Sequence, residues 1–391
     1  MIKLYLNDME MLCAAGNNRE QILYRVQNGD RSGLILSDEF SQNPVYLGKV
    51  QEELPGIEKK YSVYDCRNNR LLLAVLSRIQ TTITAMLKQY GASRIGLVLG
   101  TSTSGVRNTE LALKSVAKYQ HKPEQFHYKQ QQLAGGADFL AHILGIKGPA
   151  FAISTACSSS GKAFASARRL IQLDLCDAVV VGGADSLCQF TVQGFSALES
   201  VSTGLCKPFG QHRDGINLAE AVSLFILSKQ ESKVELQGIG ASSDAYHFSA
   251  PDPKGIAVID AMNKALLNAN KTAAEIDYIN MHGTATPLND AMESAAVHQV
   301  FGNQVAVSSS KGMTGHALGA AAALELGLCW MLINEDQQLL LPNINDDTLD
   351  QTLAPLNYVQ PGQKLAQQIK ICQSNSFAFG GNNISIVVGR A

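Results

Sequence analysis

Short apolar runs rich in β-branched residues alternate with longer stretches of helical periodicity along most of the chain. The strand-like runs lie at residues 95–99, 150–153, 178–181, 278–281, 305–307 and 384–388. The helical stretches lie at residues 68–89, 158–175, 256–270, 290–300 and 317–334. This alternation predicts an α/β fold in which helices cover central sheets.

The chain divides most naturally near its middle. A polar segment at 228–233 separates two apolar, strand-like runs, so we place the boundary between residues 1–230 and 231–391. In each part a strand runs through small residues toward a helix, once after residue 150 and again after residue 305. We therefore expect two similar halves whose helix starts face each other.

Composition and charge narrow the class of protein. The 391 residues are 46% hydrophobic and 17% charged, which is typical of a folded globular protein. Thirty-two basic and 34 acidic residues leave a net charge of −2, so no global positive field attracts nucleic acid or anionic lipid. The first ten residues lack a signal-peptide pattern, and we expect a cytoplasmic enzyme.

Cysteine usage and hydropathy exclude further classes. Eight cysteines are scattered without a Cys-x-x-Cys pair, which argues against a disulfide scaffold and against structural zinc. We expect neither a metal nor a cofactor. The longest apolar stretch, at 317–333, contains Glu325 and is shorter than the ~20 residues of a membrane span, so it predicts a buried helix.

Cys157 is the first candidate for chemistry. It lies among small residues where a strand turns into a predicted helix. The N-terminus of a helix favours a thiolate, and the N–H of Cys157 itself can stabilise an oxyanion. The alternative is that Cys157 is a small buried hydrophobic residue.

Two histidines occupy glycine-rich segments of the second half. His282 follows a strand, with Asp290 and Glu293 at the opening of the next helix, and His316 is predicted to lie at the start of another helix. A helix N-terminus disfavours imidazolium, so we expect His316 to be neutral and to donate an N–H. Either histidine alone is more often structural, but two in such settings favour a shared site.

A turn near the C-terminus is the last element. Residues 375–383 read Asn-Ser-Phe-Ala-Phe-Gly-Gly-Asn-Asn between two strands. An ordinary β-turn is one interpretation. The paired glycines also allow the backbone to approach a ligand closely.

Four segments, taken in order, resemble the β-ketoacyl-[acyl-carrier-protein] synthases. They are Thr-Ala-Cys-Ser-Ser at 155–159, His-Gly-Thr-Ala-Thr-Pro at 282–287, Lys-Gly-Met-Thr-Gly-His-Ala-Leu-Gly-Ala at 311–320, and the turn at 375–383. The resemblance covers almost the whole chain. It implies the thiolase fold, with two similar halves in a five-layer α-β-α-β-α arrangement, and a dimer.

The same resemblance implies roles for single residues. Cys157 is expected to carry the acyl chain as a thioester, while His282 and His316 promote decarboxylation of malonyl-acyl carrier protein. Lys311 and Glu325 are expected to form a buried pair that organises the site. The N–H groups of Cys157 and Phe379 would form the oxyanion hole, with the Phe379 ring as the gate to the acyl pocket.

The chain departs from the family pattern at a few positions. Ala378 stands between the two phenylalanines where glycine is common, Asn382 replaces threonine, and Ala219 and Ala221 replace glycines. Alanine narrows the accessible backbone conformations, so we expect a stiffer gate at residue 378. These changes are similar to those of a specialised secondary-metabolism branch, such as the aryl polyene-type synthases.

Acyl carrier protein is the expected partner, and because it is acidic the chain needs a local basic dock. Arg67 and Arg70 lie where the family's docking helix begins and are the candidates, although both also fit solvated surface arginines. The chain is expected to form a homodimer, or a heterodimer with a subunit like a chain-length factor.

Three alternatives to a ketosynthase are weighed by their signature residues. A chain-length factor lacks the active cysteine, whereas Cys157 is present. A thiolase needs a second reactive cysteine, and Cys372 lacks the expected Cys-x-Gly setting. An initiating synthase has asparagine in place of one histidine, whereas both His282 and His316 are present.

Overall fold

Thirteen strands and ten α-helices are seen in the computed structural model, which describes residues 2–345 and 348–391. The strands are β1 Tyr5–Cys13, β2 Leu34–Ser37, β3 Val45–Gly48, β4 Ile95–Gly100, β5 Ala150–Ile153, β6 Ala178–Asp185, β7 Ala221–Ser228, β8 Val234–Ser243, β9 Tyr278–Asn280, β10 Ala306–Ser308, β11 Asn357–Tyr358, β12 Ile371–Phe377 and β13 Asn382–Arg390. The helices are α1 Arg19–Gln27, α2 Arg67–Tyr90, α3 Val106–Tyr119, α4 Gly135–Leu144, α5 Ser159–Gln172, α6 Gln189–Ala197, α7 Ile256–Ala269, α8 Pro287–Phe301, α9 Lys311–Thr314 and α10 Ala321–Asn334.

The strand order repeats between the two halves. The first half has the spatial order β1-β7-β6-β4-β5, and the second has β8-β13-β12-β9-β10, with β11 added at its edge. Each half has five main strands, which in chain order are β1, β4, β5, β6 and β7, and β8, β9, β10, β12 and β13. The second, third and fourth of each set are parallel. The first and fifth pair antiparallel with their neighbours. The two sheets meet where Tyr5 pairs with Glu235. The expected duplication is therefore confirmed at the level of topology.

Two equivalent helices lie between the sheets. α5 follows the third strand of the first half and α10 the third strand of the second half, and both contact strands of both sheets. Every residue of α10 from Ala321 to Ile333 is buried, as expected of a helix that is apolar on all sides. With α2 and α4 on one outer face and α7 and α8 on the other, the fold has the predicted five layers.

α2 is the one helix of the described residues that matches a membrane span in length and apolar composition. Its apolar residues, among them Leu71, Val75 and Ile79, are buried in a core cluster shared with β1, β4, β6 and β7. A helix with this packing is a core helix of the folded protein.

The predicted elements are largely confirmed, but several boundaries are wrong. The helix expected from residue 317 begins at Ala321, after a 3₁₀ turn at Leu318–Ala320. The helix expected from residue 290 begins at Pro287, because proline is favoured in the first turn. α3 was not among the predicted helices, and Ala112 is its only buried residue. The boundary at 230/231 falls in the turn between β7 and β8 and stays a prediction.

Candidate active site

Cys157 lies in a sharp turn between β5 and α5. Ala156 adopts a left-handed backbone conformation with φ of 51°, which costs energy for any residue with a Cβ and is tolerated where the surroundings hold it in place. The Thr155 N–H donates to Ser159 Oγ at 2.8 Å, and Ser159 Oγ donates back to the Ala156 carbonyl at 2.5 Å. The turn therefore presents the Cys157 thiol at the end of the central helix layer.

The Cys157 thiol is held in its protonated form by its surroundings. Burial raises its pKa to about 12, although the charge of Lys311 and the N–H groups of Phe379 and Cys157 act in the opposite direction. The expectation that the helix N-terminus would favour a thiolate is therefore wrong for this closed site. α5 begins at Ser159, two residues after Cys157. The thiol needs a base to act as a nucleophile.

His316 is placed to be that base. Its Nε2 lies 3.1 Å from Cys157 Sγ. Its backbone pairs with an extended segment, since the His316 N–H donates to the Asn217 carbonyl at 2.8 Å and the Ala219 N–H donates to the His316 carbonyl at 3.0 Å. His316 thus lies between α9 and α10 and not at the start of a helix, which corrects the sequence-based expectation. Its neutrality has another cause: burial, with a contribution from Lys311, lowers its pKa well below the usual value.

His282 follows β9 in a loop that a buried carboxylate holds. Glu293, in α8, accepts the N–H groups of His282 and Gly283, both at 2.7 Å. The ring of His282 lies 5.4 Å from that of His316, edge to face, and 6.1 Å from that of Phe377. Burial, Lys311 and His316 lower the pKa of His282 well below its usual value, so both histidines are neutral.

Lys311 and Glu325 form an ion pair that is almost completely shielded from solvent, with exposed side-chain fractions of 1% and 2%. Lys311 Nζ also donates to the His282 carbonyl at 2.5 Å and lies 3.4 Å from His282 Nδ1. An ammonium group is a donor only, so Nδ1 of His282 must accept, and its proton is on Nε2. Burial raises the pKa of Glu325 to about 7, against the effect of Lys311.

Cys157, His282 and His316 line one cavity of about 270 Å³. Its apolar wall includes Phe195, Leu198, Ile216, Phe377 and Phe379, and its polar wall includes Glu199, Asp244, Thr284, Thr286 and Asn289. The Phe379 and Phe195 rings are in contact, with centroids 5.6 Å apart. The sequence offered no signal for Phe195, because α6 comes close to the gate only in the folded chain.

In the turn that carries Phe379, the two glycines adopt the unusual backbone conformation. Gly380 and Gly381 have φ values of 79° and 74°, which favour glycine. Ala378 has no positive φ, and its N–H donates to the Asn382 carbonyl at 2.9 Å. Ala378 is therefore compatible with this closed conformation, and its effect on gate movement stays a prediction.

Both proposed docking arginines already have partners. The guanidinium of Arg67 pairs with the fully buried Glu220 and donates to the Val50 carbonyl at 3.2 Å. Arg70 forms a bidentate pair with Asp65, at 2.7 and 2.8 Å. Arg67 thus neutralises a buried carboxylate inside the protein and is not a free surface cation. Arg70 keeps 42% of its side chain exposed and is the better of the two candidates for a dock.

Two further expectations concern cysteine and metal. Cys372 is buried in β12 and does not line the cavity of Cys157, so the second reactive cysteine of a thiolase is not found there. Sγ of Cys157 and one ring nitrogen of each active-site histidine lie within 4.8 Å of one another. These atom types bind soft transition metals, so the expected absence of a metal stays a prediction.

Comparison with known proteins agrees with this geometry. Residues 52–233 match the family described as "Beta-ketoacyl synthase, N-terminal domain", and residues 234–346 match "Beta-ketoacyl synthase, C-terminal domain". The 3-oxoacyl-[acyl-carrier-protein] synthase 2 of Vibrio cholerae is 31% identical over 415 residues, 99% of each chain. Nodulation protein E of Rhizobium meliloti is 28% identical over 396 residues, 97% of each chain.

A solved structure is more similar still. The ketosynthase ApeO from Xenorhabdus doucetiae, in complex with its chain length factor ApeC, has a TM-score of 0.95 and 42% identity, covering 100% of this chain and 98% of that one. The fold, the family matches and the two histidines beside a cysteine define an acyltransferase of the thiolase-fold class. The chain belongs to the β-ketoacyl synthase family, whose members catalyse an acyl-carrier-protein-dependent Claisen condensation in fatty acid or polyketide synthesis.

Proposed function

We propose that Cys157 is the nucleophile of this condensation, with His282, His316 and Lys311 as its catalytic partners. The observation that carries the proposal is the 3.1 Å contact between Cys157 Sγ and His316 Nε2 in a cavity that also contains His282. A chain-length factor does not need these groups, so their joint presence favours the catalytic subunit.

The first step is acyl transfer to the enzyme. Cys157 Sγ attacks the carbonyl carbon of the acyl-carrier-protein thioester, and His316 Nε2 takes the thiol proton. The N–H groups of Cys157 and Phe379, both of which lower the pKa of the Cys157 thiol, hold the negative oxygen of the tetrahedral intermediate. The carrier thiolate then leaves with the proton from His316, so that His316 is neutral again.

The second step is decarboxylation and carbon–carbon bond formation. Malonyl-carrier protein loses carbon dioxide, and the electron pair of the broken bond passes into a thioester enolate. His282 donates its Nε2–H to the enolate oxygen, and the neutral His316 donates a second bond from Nε2 after exchange with solvent has moved its proton from Nδ1 to Nε2. The enolate carbon attacks the Cys157 thioester, the C–S bond breaks, and the Cys157 thiolate leaves. One proton from solvent, which the overall reaction consumes, restores the thiol. Lys311 holds His282 in the donating tautomer through Nδ1.

The carrier-protein dock is proposed around Arg70. Its exposed guanidinium can exchange Asp65 for a carrier carboxylate or phosphate. Arg70→Glu is expected to raise KM for the carrier substrate with little change in kcat, since docking contacts contribute uniform binding. Arg78→Glu is the matched control, because Arg78 lies on the same helix and also pairs with one carboxylate, that of Glu52. An unchanged KM for Arg70→Glu would exclude this dock.

We also propose a heterodimer with a chain-length-factor-like subunit. ApeO is found with its chain length factor, and this chain carries apolar surface in need of a cover: Leu111, Leu113 and Val116 of α3 are 53%, 64% and 44% exposed. The edge strand β5 is only half-buried. We further propose a cytoplasmic location, a division into halves at 230/231, and the aryl polyene-type branch of the family.

The experiment that tests the proposed function is condensation with acyl- and malonyl-carrier protein. The wild-type enzyme, alone or with a chain length factor such as ApeC, should release carbon dioxide and form the β-ketoacyl product. Cys157→Ala should form none. Cys176→Ala is the matched control, because Cys176 is equally buried but lies beyond the other end of α5. Product from Cys157→Ala at the wild-type rate would refute the nucleophile.

A further inference from the structure

A buried carboxylate at the end of β6 has no part in the mechanism above. Asp185, 1% exposed, accepts hydrogen bonds from five groups. These are Thr101 Oγ1 at 2.7 Å, Ser102 N–H at 2.8 Å, Thr103 N–H at 2.8 Å, Thr103 Oγ1 at 2.9 Å and Gly319 N–H at 2.6 Å. Burial raises the pKa of Asp185 while these donors lower it. So many donors indicate a carboxylate used as an acceptor hub.

The hub joins the two halves of the fold. Residues 101–103 follow β4 in the first half, whereas Gly319 belongs to the second half and lies three residues after His316. The approach is very close at Gly319, where an added Cβ would lie 2.6 Å from Ser102 Oγ and 2.8 Å from Asp185 Oδ2. Only glycine fits this position without a shift of the chain.

Asp185 is linked by hydrogen bonds to the segments that carry both reacting groups. On one side, Asp185 binds the segment that follows His316, through Gly319. On the other side, it binds the N–H of Ser102, whose hydroxyl donates to the carbonyl of Ala156 at 3.4 Å, immediately before Cys157. The backbone N–H and carbonyl of His316 itself are bonded to Asn217 and Ala219. Asp185 therefore restrains His316 from the side of the nucleophile turn.

The repeated topology offers a parallel. The loop after β4 in the first half is equivalent to the loop after β9 in the second, and Glu293 holds that second loop by accepting the N–H groups of His282 and Gly283. Each half thus uses one buried carboxylate to hold the loop after its second main strand. The parallel argues that Asp185, like Glu293, serves the site.

We propose that Asp185 is a positioning residue that fixes the distance between His316 Nε2 and Cys157 Sγ through Gly319 and Ser102. This inference rests on the proposed function, because Cys157 and His316 are taken as the reacting groups. Misplacement of a catalytic group by about 1 Å can cost ~10²-fold in rate, so the effect of losing the hub should fall on kcat.

Two variants test this from opposite sides. Asp185→Asn keeps the volume but places an NH₂ donor opposite some of the N–H groups, and Gly319→Ala forces the same contact apart while leaving Asp185 intact. Glu10→Gln is the control, since Glu10 is a buried carboxylate in β1 that accepts two N–H bonds at 2.9 Å and does not line the cavity. Thermal unfolding, kcat, KM and the pH profile of Cys157 alkylation by iodoacetamide are measured for all three.

Asp185→Asn and Gly319→Ala should each lower kcat by ~10- to 10²-fold with KM changed less than about twofold. Both should slow alkylation of Cys157 at pH 7 and move its pH profile upward, because the thiol loses its base. Glu10→Gln should change neither kcat nor the alkylation of Cys157. If Asp185→Asn does not fold, Gly319→Ala decides the question alone.

The inference is overturned if both variants keep kcat and the alkylation profile of the wild type, or if Glu10→Gln alters them equally. Alkylation does not require carrier protein or condensation. A wild-type enzyme without condensation activity whose alkylation profile still shifts in both variants would therefore refute the proposed function and leave the positioning role intact.

Discussion

The buried Lys311–Glu325 pair allows stability and catalysis to be separated. Removing one partner of a buried ion pair costs ~3–5 kcal/mol, because the other charge is left without compensation. An unfolding entropy of ~2.1 cal/mol/K per residue over 391 residues is about 0.8 kcal/mol/K. Lys311→Met and Glu325→Leu should therefore each lower Tm by about 4–6 °C.

The double variant should recover the thermal stability that each single variant loses. Lys311→Met with Glu325→Leu removes both charges, and buried pairs replaced by apolar residues of similar volume are often neutral or stabilising. Its Tm should equal or exceed that of the wild type. Malonyl decarboxylation should nevertheless stay lost, since nothing then holds the His282 tautomer.

The stability of the Lys311→Met variant should also depend on pH in a defined direction. Glu325 has a folded pKa of about 7, above its usual value, so its contribution is present at low pH and is lost as the pH rises through that value. Without Lys311 this pKa rises further. The stability deficit of Lys311→Met should therefore grow as the pH rises past about 7.

Thermal unfolding of the four proteins, followed by circular dichroism, measures these effects. Lys264→Met is the matched control, because Lys264 pairs with Asp260 at 2.6 Å on an exposed helix face, where an ion pair contributes less than about 1 kcal/mol. The reasoning is refuted if Lys264→Met and Lys311→Met lower Tm equally, or if the double variant loses as much as the two single variants together.

Three other changes have distinct expected outcomes. Burial raises the pKa of Glu293 to about 8, so the wild type should lose stability between about pH 4.5 and 8; Glu293→Gln should flatten this slope in unfolding titrations, and an unchanged slope would exclude Glu293 as its source. Ala378→Gly should broaden the range of acyl-carrier proteins that acylate Cys157, because the gate gains backbone freedom; rates equal to those of the wild type for every saturated and polyunsaturated chain would contradict this. Arg67→Glu should lower Tm, since it places two carboxylates together at Glu220, and a wild-type Tm would show that the pair is dispensable.

The sequence predicts the candidate catalytic residues better than it predicts the contacts around them. Cys157, His282 and His316 each lie in a short segment of small or glycine-rich residues that made them candidates, whereas Lys311 was assigned from the family resemblance. The duplication was also visible, because the two central helices follow strands through similar small-residue turns. What these elements share is a local pattern that does not depend on distant contacts.

The remaining features depend on contacts between distant parts of the chain. Arg67 looked like a surface cation because its partner, Glu220, lies 153 residues away. The helix expected at His316 starts later because Gly315, with φ of 68°, ends α9 and turns the chain toward the 217–219 segment. The acidity of Cys157 was misjudged because a sequence pattern contains no measure of burial.

The central claim is that the acyl chain is carried on Cys157. The most direct measurement is peptide mass spectrometry after incubation with acyl-carrier protein in the absence of malonyl-carrier protein. The account predicts the acyl mass on the peptide that contains Cys157, its absence in Cys157→Ala, and its disappearance when malonyl-carrier protein is added. An acyl group found on another residue, or product formed without any acylated Cys157, would contradict it.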